Sequence, residues 1–246
     1  IKKLEYRGYD SSGMAVIEDN KIVCKKAVGR ISELEKVLGG SCDRSHIGII
    51  HTRWATHGSP THRNAHPHVD CHGRIALVHN GIIENYNYLK TKLEDRGHIF
   101  KSETDTEVIA HLIESHFEGN LEHAVRNALK EVEGAYGLAV INLDEPDKLI
   151  AARLGSPLII GVGNEEYFVT SDVSAILAYT KNVVYLNDGE LVVLTKDKME
   201  TTDIDSVPIM SRIEEIEWDI NQVQKSGYEH FMLKEIHEQP QSLRET

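Results

Sequence analysis

The sequence reads HTRWATHG at residues 51–58, NAHPHV at 64–69, VHNGIIEN at 78–85 and SETDTE at 102–107. Apolar runs at 46–51 and 74–79 predict two buried strands. The segment between them, residues 52–73, then forms a long histidine-rich loop. Because long loops within compact domains are usually functional, we expect the functional site where this loop meets the strands.

Outside this stretch, the pattern predicts a mixture of strands and helices. Alternating residues at 13–18 and 21–27 predict a hairpin. Short strands separated by turns follow residue 134, and Asp188-Gly189 predicts a further hairpin. Helices are predicted at residues 32–38, 82–95, 105–117 and 121–132. We therefore predict an α+β fold in which two antiparallel sheets pack together and helices cover the outer faces.

Composition restricts the classes of protein to which the chain can belong. Its 246 residues, 40% of them hydrophobic, suffice for one large domain or two small ones. The formal net charge of −12 argues against nucleic-acid binding, which needs a basic surface. No apolar run approaches the roughly 20 residues of a membrane span. Three cysteines are too few for a disulfide framework, so we expect a cytoplasmic protein.

Both ends of the chain lead us to expect further sequence around it. Residues 1–4 have the pattern of the last turn of an amphipathic helix, so an element is expected to begin upstream. Residues 230–246 predict a short polar helix that breaks at Pro240. We therefore expect one domain over residues 1–218, incomplete at its N-terminus, and a linker over residues 219–246.

Two charged residues in the quoted segments could bind the two charges of a free amino acid. The guanidinium group of Arg53 suits bidentate capture of a carboxylate, and a structural ion pair is the equal alternative. The carboxylate of Asp105 suits an ammonium group, although on spacing alone its place at a helix start favours an N-cap. Asn80-Gly81 is typical of a turn. Alternatively, the Asn80 NH₂ and the Gly81 N–H form an oxyanion hole, whose donors are each worth about 3 kcal/mol in acyl transfer.

Seven histidines between residues 51 and 79 suggest a metal site at first sight. They are His51, His57, His62, His66, His68, His72 and His79. Because neither H-E-x-x-H nor C-x-x-C spacing is present, we expect no metal site and no cofactor. We expect instead that these histidines orient loops through hydrogen bonds, with His66 and His79 supporting the site.

Trp54 and Arg7 complete the candidate site, whereas the cysteines are weak candidates. Trp54 lies in a polar loop, so its ring is expected to line a pocket. Arg7 is expected to brace a nearby chain end or, alternatively, to be solvated. No cysteine is a strong candidate nucleophile. Only Cys71 has an adjacent base, His72, and such a pair is weak evidence because catalytic partners are usually distant in sequence.

Taken jointly, the motifs resemble the glutaminase domain of the glutamine–fructose-6-phosphate aminotransferases, a family of class II amidotransferases. The resemblance covers nearly the whole chain. It rests on LEYRGYDSSG at 4–13, HTRWATHG at 51–58, NAHPHV at 64–69, VHNGIIENY at 78–86, SETDTEVIAHL at 102–112, GAYGLAVI at 134–141, GSPLIIGVG at 155–163 and HFMLKEIHEQP at 230–240. It implies the N-terminal-nucleophile hydrolase fold, a four-layer αββα sandwich, with its first strand missing here.

The resemblance also implies a reaction and partners. Glutamine is hydrolysed to glutamate and ammonia, which a second, sugar-phosphate isomerase domain uses to convert fructose 6-phosphate to glucosamine 6-phosphate. The longer protein is expected to be a homodimer. Implied roles are carboxylate binding for Arg53, ammonium binding for Asp105, the oxyanion hole for Asn80 and Gly81, substrate contact for Thr56 and His57, and ammonia gating for Trp54.

The family nucleophile is the main departure. In the family, the first residue of the mature chain is a cysteine whose own α-amine acts as the base. Position 1 is isoleucine here, so a Cys-Gly motif is expected upstream and the chain alone is expected to be inactive. The alternatives are another class II enzyme, such as an amidophosphoribosyltransferase, a metal hydrolase that uses the histidines, and a non-catalytic binding module.

Overall fold

The computed structural model describes residues 1–39, 45–217, 228 and 231–245. The strands in these ranges are β1 Ser11–Glu18, β2 Lys21–Val28, β3 Gly48–Arg53, β4 His68–Val69, β5 Ile75–Ile83, β6 Gly134–Asn142, β7 Leu149–Leu154, β8 Ile159–Val162, β9 Tyr167–Thr170, β10 Asn182–Tyr185, β11 Glu190–Leu194, β12 Met199–Asp203 and β13 Glu214–Glu215. The helices are α1 Ile31–Leu38, α2 Tyr86–Glu94, α3 Thr106–His116, α4 Leu121–Glu131 and α5 Phe231–Glu245, and 3₁₀ helices lie at Lys2–Arg7 and Val173–Ala175.

A six-stranded antiparallel sheet, in the order β12-β11-β7-β6-β5-β4, forms the first β-layer. One of its faces is covered by α2, α3 and α4, each of which buries an apolar stripe against it. Leu77, Leu138 and Ile150 of the sheet pack there with Leu112 of α3 and Val125 of α4. This core fixes the position of α3, whose first turn lines the site described below.

The second β-layer consists of two separate sheets, ordered β2-β1-β3 and β13-β10-β8-β9. Ala15 and Ile49 of the first sheet pack on Ile141 of β6. Ile160 of the second sheet packs on Val192 of β11. The two sheets end at β3 and β9, and both of these edge strands line one cavity of about 660 Å³.

Helical elements cover the outer face of this second layer. Helix α1 packs against β2, and the 3₁₀ helix at Val173–Ala175 packs with Ile159 and Val183 of the four-stranded sheet. The predicted αββα sandwich is therefore confirmed, although one of its two β-layers is divided. No helix in the described ranges has both the length and the apolar character that crossing a bilayer requires.

The prediction that Asn80-Gly81 forms a turn is wrong. Strand β5 runs through both residues, which pair with Gly137 and Tyr136 of β6. Because β6 offers a continuous partner up to Ile83, the pairing overrides the local preference of the dipeptide for a turn. Helix α2 therefore begins at Tyr86 and not at residue 82.

The prediction of a hairpin at Asp188-Gly189 is also wrong. The two flanking strands, β10 and β11, belong to different β-layers, so this segment crosses between them. The carboxylate of Asp188 accepts a hydrogen bond from the Gly155 N–H at 3.0 Å and pairs with Arg153 at 3.1 Å. These contacts with the end of β7 hold a turn that local sequence cannot distinguish from a hairpin.

The C-terminal predictions have two outcomes. Helix α5 continues through Pro240 to residue 245, so the predicted break at that residue is wrong. A proline removes one backbone donor, which weakens a helix without always ending it. The predicted boundary between residues 218 and 219 lies outside the described residues.

Candidate active site

The cavity between β3 and β9 brings together eight of the ten residues that the sequence predicts for the site. Its floor is formed by β5 and β6, and the first turn of α3 closes one side. The eight residues on its wall are Arg53, Trp54, Thr56, His66, His79, Asn80, Gly81 and Asp105. His57 lies beside Asp105, and the side chain of Arg7 lies outside the part of the chain that the structure describes.

Arg53, the last residue of β3, is 4% exposed. Its guanidinium group donates to the backbone carbonyls of His57, of Gly58 at 3.1 Å and of Ser59 at 3.4 Å. These bonds shape the loop that follows β3. Because a guanidinium group carries five N–H donors, two remain without a partner among the described residues. The structural ion pair, the alternative interpretation of Arg53, is not found among those residues.

Asp105 occupies the N-cap position of α3, but its side chain does not cap that helix. Its Oδ2 instead accepts a hydrogen bond from the N–H of Ile83, the last residue of β5, at 2.9 Å. Its Oδ1 lies 3.9 Å from Nδ1 of His57, outside hydrogen-bond distance. A buried carboxylate oxygen is thus held at the cavity wall, where a cationic group could approach it.

Asn80 and Gly81 lie side by side on the cavity floor in β5. The Oδ1 of Asn80 accepts a hydrogen bond from Nε2 of His51 at 3.0 Å, so the amide NH₂ is left as a donor. Gly81 has φ = 132°, and a Cβ atom here would lie 2.0 Å from the Ala135 carbonyl oxygen. The backbone at this position therefore requires glycine.

Buried histidines that line the cavity form a hydrogen-bonded network. Nε2 of His79 donates to the Ala135 carbonyl at 3.2 Å, so its Nδ1 is the acceptor for the Thr106 hydroxyl at 2.9 Å. The same hydroxyl accepts from Nε2 of His66 at 3.2 Å. These contacts are of the kind that the sequence led us to expect for the histidines, and their supporting role in the site stays a prediction. The contribution of Thr106 was missed, because its position in the first turn of a helix carries no sequence signal for it.

The histidine rings also contact one another, in tilted and edge-to-face arrangements, and burial keeps them neutral. The ring of His66 lies 4.2 Å from that of His51 and 4.8 Å from that of His68. Desolvation lowers the pKa of His51 to about 4 and the pKa of His68 to about 3. It also lowers the pKa of His66 and of His79 below the ordinary value. At neutral pH the network therefore provides positioned dipoles without net charge.

The loop that follows β3 is fixed by a hydrogen bond to Asp10 and exposes an aromatic ring. The Asp10 carboxylate accepts hydrogen bonds from the Ala55 N–H and from the Ser11 hydroxyl. Trp54 is 62% exposed, and its ring meets the edge of the Tyr9 ring at 5.8 Å. Trp54 is among the residues on the cavity wall, and its role in the site stays a prediction.

No cysteine among the described residues lies on the cavity wall. The thiol of Cys24 is in β2, 4.0 Å from the Pro67 carbonyl, and burial raises its pKa. Cys71 lies beyond β4 among other side chains, and burial raises its pKa as well. Raised thiol pKa values disfavour the reactive thiolate, so neither residue has the setting of a nucleophile.

Comparison with known proteins decides the family. A family model described as a glutamine amidotransferase domain matches residues 51–178, just over half of the chain. The chain belongs to the glutamine amidotransferase domain family. Among curated relatives, glutamine–fructose-6-phosphate aminotransferase (isomerizing) of Thermotoga maritima is 52% identical over 99% of this chain. The enzyme of the same name from Symbiobacterium thermophilum is 49% identical over all of it.

The matched relatives are longer than this chain. The chain spans 40% of the length of each of the two relatives. Among solved structures, glutamine phosphoribosylpyrophosphate amidotransferase from B. subtilis superimposes with a TM-score of 0.67 and 27% identity. That match covers 82% of this chain and 44% of the other. Because this match extends over most of the chain, the N-terminal-nucleophile hydrolase fold is confirmed.

Proposed function

We propose that this chain is the glutamine-hydrolysing part of a glutamine–fructose-6-phosphate aminotransferase (isomerizing). Two relatives with that name are 49% and 52% identical to it over almost its whole length. The observation that carries the proposal is the convergence of Arg53, Asp105, Asn80 and Gly81 on one cavity. A cation, an anion and a pair of hydrogen-bond donors match the three polar ends of glutamine.

Each group has a proposed role in binding. The free N–H groups of Arg53 bind the α-carboxylate of glutamine, and Oδ1 of Asp105 accepts from its α-ammonium group. The side-chain amide then extends toward Asn80 and Gly81. Their donors stabilise the oxyanion that forms when the amide carbonyl is attacked, by about 3 kcal/mol each. His51 supports this role, because its bond to Asn80 Oδ1 fixes the direction of the amide NH₂.

We propose that the attacking thiol belongs to a segment of the longer protein outside this chain. No described cysteine lines the cavity, while β3 and β9 leave open edges on either side of it. A further strand placed between these edges would pair with one or both and would bring its own first residue over Asn80. Thr56 and His57 would contact the substrate, Arg7, His66 and His79 would support the site, and Trp54 would gate the passage of ammonia.

The setting of the longer protein is proposed on the same basis. Residues 1–218 form the glutaminase domain, and residues 219–246 lead to a sugar-phosphate isomerase domain that binds fructose 6-phosphate. The described cysteines, Cys24 and Cys71, are both free thiols, which supports a cytoplasmic location. We propose a homodimer for the longer protein, which sedimentation equilibrium will test.

Calorimetry with the present chain tests the binding proposal. L-Glutamate is the ligand, and N-acetyl-L-glutamate, which lacks the ammonium charge, is its matched analogue. Arg53→Lys and Asp105→Asn are each expected to weaken L-glutamate binding by roughly 10- to 100-fold, because each loses a charge-assisted hydrogen bond. Asp105→Asn should leave the weak binding of the N-acetyl analogue unchanged. The exposed pair Asp95→Asn and Arg96→Lys is the control.

Two outcomes would contradict the proposal. One is L-glutamate binding that is equal in the parent and in both site variants. The other is equal affinity for L-glutamate and its N-acetyl analogue, which would remove the role of Asp105. The acceptor is tested with the longer protein, by comparing glutamine-dependent product formation from fructose 6-phosphate and from phosphoribosyl pyrophosphate. Activity with the second acceptor alone would favour the amidophosphoribosyltransferase alternative, which among the comparisons is represented by a structural neighbour of 27% identity.

A further inference from the structure

Four side chains converge at a second place, on the edge of the six-stranded sheet outside the wall of the cavity. They come from three separate segments: Cys71 from the turn after β4, His98 from the segment after α2, and His111 and Glu114 from α3. One donor atom from each side chain lies within 4.8 Å of all the others. His111 is 1% exposed, and His98 and Glu114 are each 13% exposed at the side chain.

The distances within this cluster fit a tetrahedron of metal ligands. Sγ of Cys71 lies 3.7 Å from Nδ1 of His98 and 3.4 Å from Nδ1 of His111. Oε2 of Glu114 lies 2.9 Å and 3.2 Å from the same two nitrogen atoms. Tetrahedral Zn²⁺ with ordinary bond lengths places sulfur and nitrogen ligands about 3.5 Å apart, and nitrogen and oxygen ligands about 3.3 Å apart. The four distances therefore depart from these values by only a few tenths of an ångström.

The second nitrogen of His111 supplies an independent indication. Its Nε2 lies 3.6 Å from Oε1 of Glu107 and has no hydrogen-bond partner in the described structure. The Glu107 carboxylate is fixed opposite this nitrogen, because it accepts hydrogen bonds from the Lys101 and Ser102 N–H groups and from the Ser102 hydroxyl. A proton on Nε2 that points at this carboxylate leaves the Nδ1 lone pair aimed into the cluster. Metal-bound histidines characteristically face a carboxylate in this way.

A purely hydrogen-bonded cluster explains these contacts less well. If His111 is neutral, one of its two ring lone pairs faces a carboxylate oxygen: either Nε2 faces Oε1 of Glu107 at 3.6 Å, or Nδ1 faces Oε2 of Glu114 at 3.2 Å. If His111 is doubly protonated, it pairs with both carboxylates but offers no acceptor to the Cys71 thiol, whose sulfur lies 3.4 Å from Nδ1. A divalent cation in the cluster accepts the Nδ1 lone pair and the Glu114 oxygen together, while Nε2 keeps its proton toward Glu107. Together with one thiolate, one carboxylate and two neutral imidazoles, it gives a site with no net charge.

We propose that Cys71, His98, His111 and Glu114 bind a zinc ion in a structural site. Thiolate and imidazole ligands favour Zn²⁺ over Mg²⁺ or Ca²⁺, which prefer oxygen. All four tetrahedral positions are filled by the protein, which is typical of structural and not catalytic zinc. The sequence led us to expect no metal site, so this proposal replaces that expectation.

The position of the site suggests what the ion stabilises. It joins the β4–β5 turn, the segment after α2 and the middle of α3. Glu107, which faces His111, also holds the backbone at Lys101 and Ser102, a few residues before Asp105. The ion would therefore fix the segment that places the Asp105 carboxylate at the cavity, although it lies apart from the cavity itself.

Metal analysis of the purified protein is the first test. We expect about one zinc per chain by inductively coupled plasma mass spectrometry after dialysis against metal-free buffer. After removal with a chelator, added ZnCl₂ should raise the melting temperature of the parent. Added CoCl₂ should give the visible absorption of tetrahedral Co²⁺ and a thiolate-to-cobalt charge-transfer band. Protein that contains no zinc as purified, and whose melting temperature ZnCl₂ leaves unchanged, would overturn the proposal.

Variants identify the ligands. Cys71→Ser should abolish the charge-transfer band, and Glu114→Gln should weaken Zn²⁺ binding by at least 10-fold while preserving side-chain shape. The matched controls are Cys24→Ser and His116→Gln, whose side chains lie outside the cluster. A cobalt spectrum that is the same in Cys71→Ser as in the parent would assign the metal to other residues. If Cys71→Ser does not fold, the Glu114→Gln titration and the parent's spectrum decide.

Discussion

The buried histidine network makes a strong prediction about stability in acid. His51, His66, His68 and His79 all have a pKa below the ordinary value because they are desolvated. In the unfolded chain each takes up a proton near pH 6.5, but in the folded protein it stays neutral to much lower pH. Stability rises with pH wherever the unfolded state binds more protons, so it must fall as the pH drops below about 6.5.

The magnitude follows from the shifted pKa values. For a histidine whose folded pKa is about 3, as for His68, lowering the pH from 8 to 5 costs about 2 kcal/mol. His51, with a folded pKa of about 4, gives nearly the same cost at pH 5. His51 and His68 together therefore cost about 4 kcal/mol at pH 5, a large share of the stability of a typical domain. His66 and His79, whose pKa values burial also lowers, act in the same direction, so we expect a marked loss of stability between pH 6.5 and pH 5.

The variant His68→Gln isolates one of these contributions. Nε2 of His68 lies 3.1 Å from the Thr104 hydroxyl, and a glutamine amide can make the same hydrogen bond without titrating in this range. Urea denaturation at pH 8 and at pH 5 measures the free energy of unfolding of both proteins. We expect the variant to lose about 2 kcal/mol less than the parent over this range, since one protonation is removed. The exposed His62→Gln is the control, and it should lose as much as the parent.

An equal loss in His68→Gln and in the parent would refute this reasoning. A direct check is available from ¹H–¹⁵N correlation spectra of the imidazole groups. These should show His51 and His68 unchanged between pH 7 and pH 5.5, because their pKa values are about 4 and about 3, and should show His79 protonated at Nε2 at pH 7. A histidine of the network that titrates near pH 6.5 would equally count against it.

Two further substitutions test the scaffold. Gly81→Ala should destabilise the protein by about 3 kcal/mol or more, because the new Cβ would lie 2.0 Å from the Ala135 oxygen at a positive φ. Gly97→Ala, where φ is 90° and nothing lies within 4 Å, should cost only about 1 kcal/mol in urea denaturation, and equal losses would contradict the steric argument. Asn64→Ala should cost about 3 kcal/mol and weaken L-glutamate binding, because buried Asn64 bonds to Ser59 and to Glu103. If calorimetry finds that Asn64→Ala binds L-glutamate as tightly as the parent, the loop between β3 and β4 does not contribute to ligand binding through Asn64.

The helices and most of the strands could be predicted from the sequence because their signals are local. The hairpin of β1 and β2, for example, follows from alternation across a two-residue turn. Asn80-Gly81 and Asp188-Gly189 carry equally strong turn signals, yet one lies inside a strand and the other crosses between layers. Pairing with distant strands decides such cases, and a single sequence does not contain that information.

The candidate site divides in the same way. Arg53, Asp105 and Asn80 could be predicted, because their chemistry is visible in short motifs near strand and helix ends. The donor that orients Asn80, His51, required the register between two β-layers. The proposed zinc ligands come from three segments without a recognisable spacing, so only their assembly around one point reveals them. Cys71, which the sequence offered as a weak nucleophile, belongs to that second cluster.

The central claim is that the cavity holds a free amino acid between Arg53 and Asp105. A crystal structure of the chain with L-glutamate tests it most directly. We expect the α-carboxylate at the guanidinium group of Arg53, the α-ammonium group at Oδ1 of Asp105, and the side-chain carboxylate toward Asn80 and Gly81. Glutamate bound in the opposite orientation, or outside the groove between β3 and β9, would contradict the account.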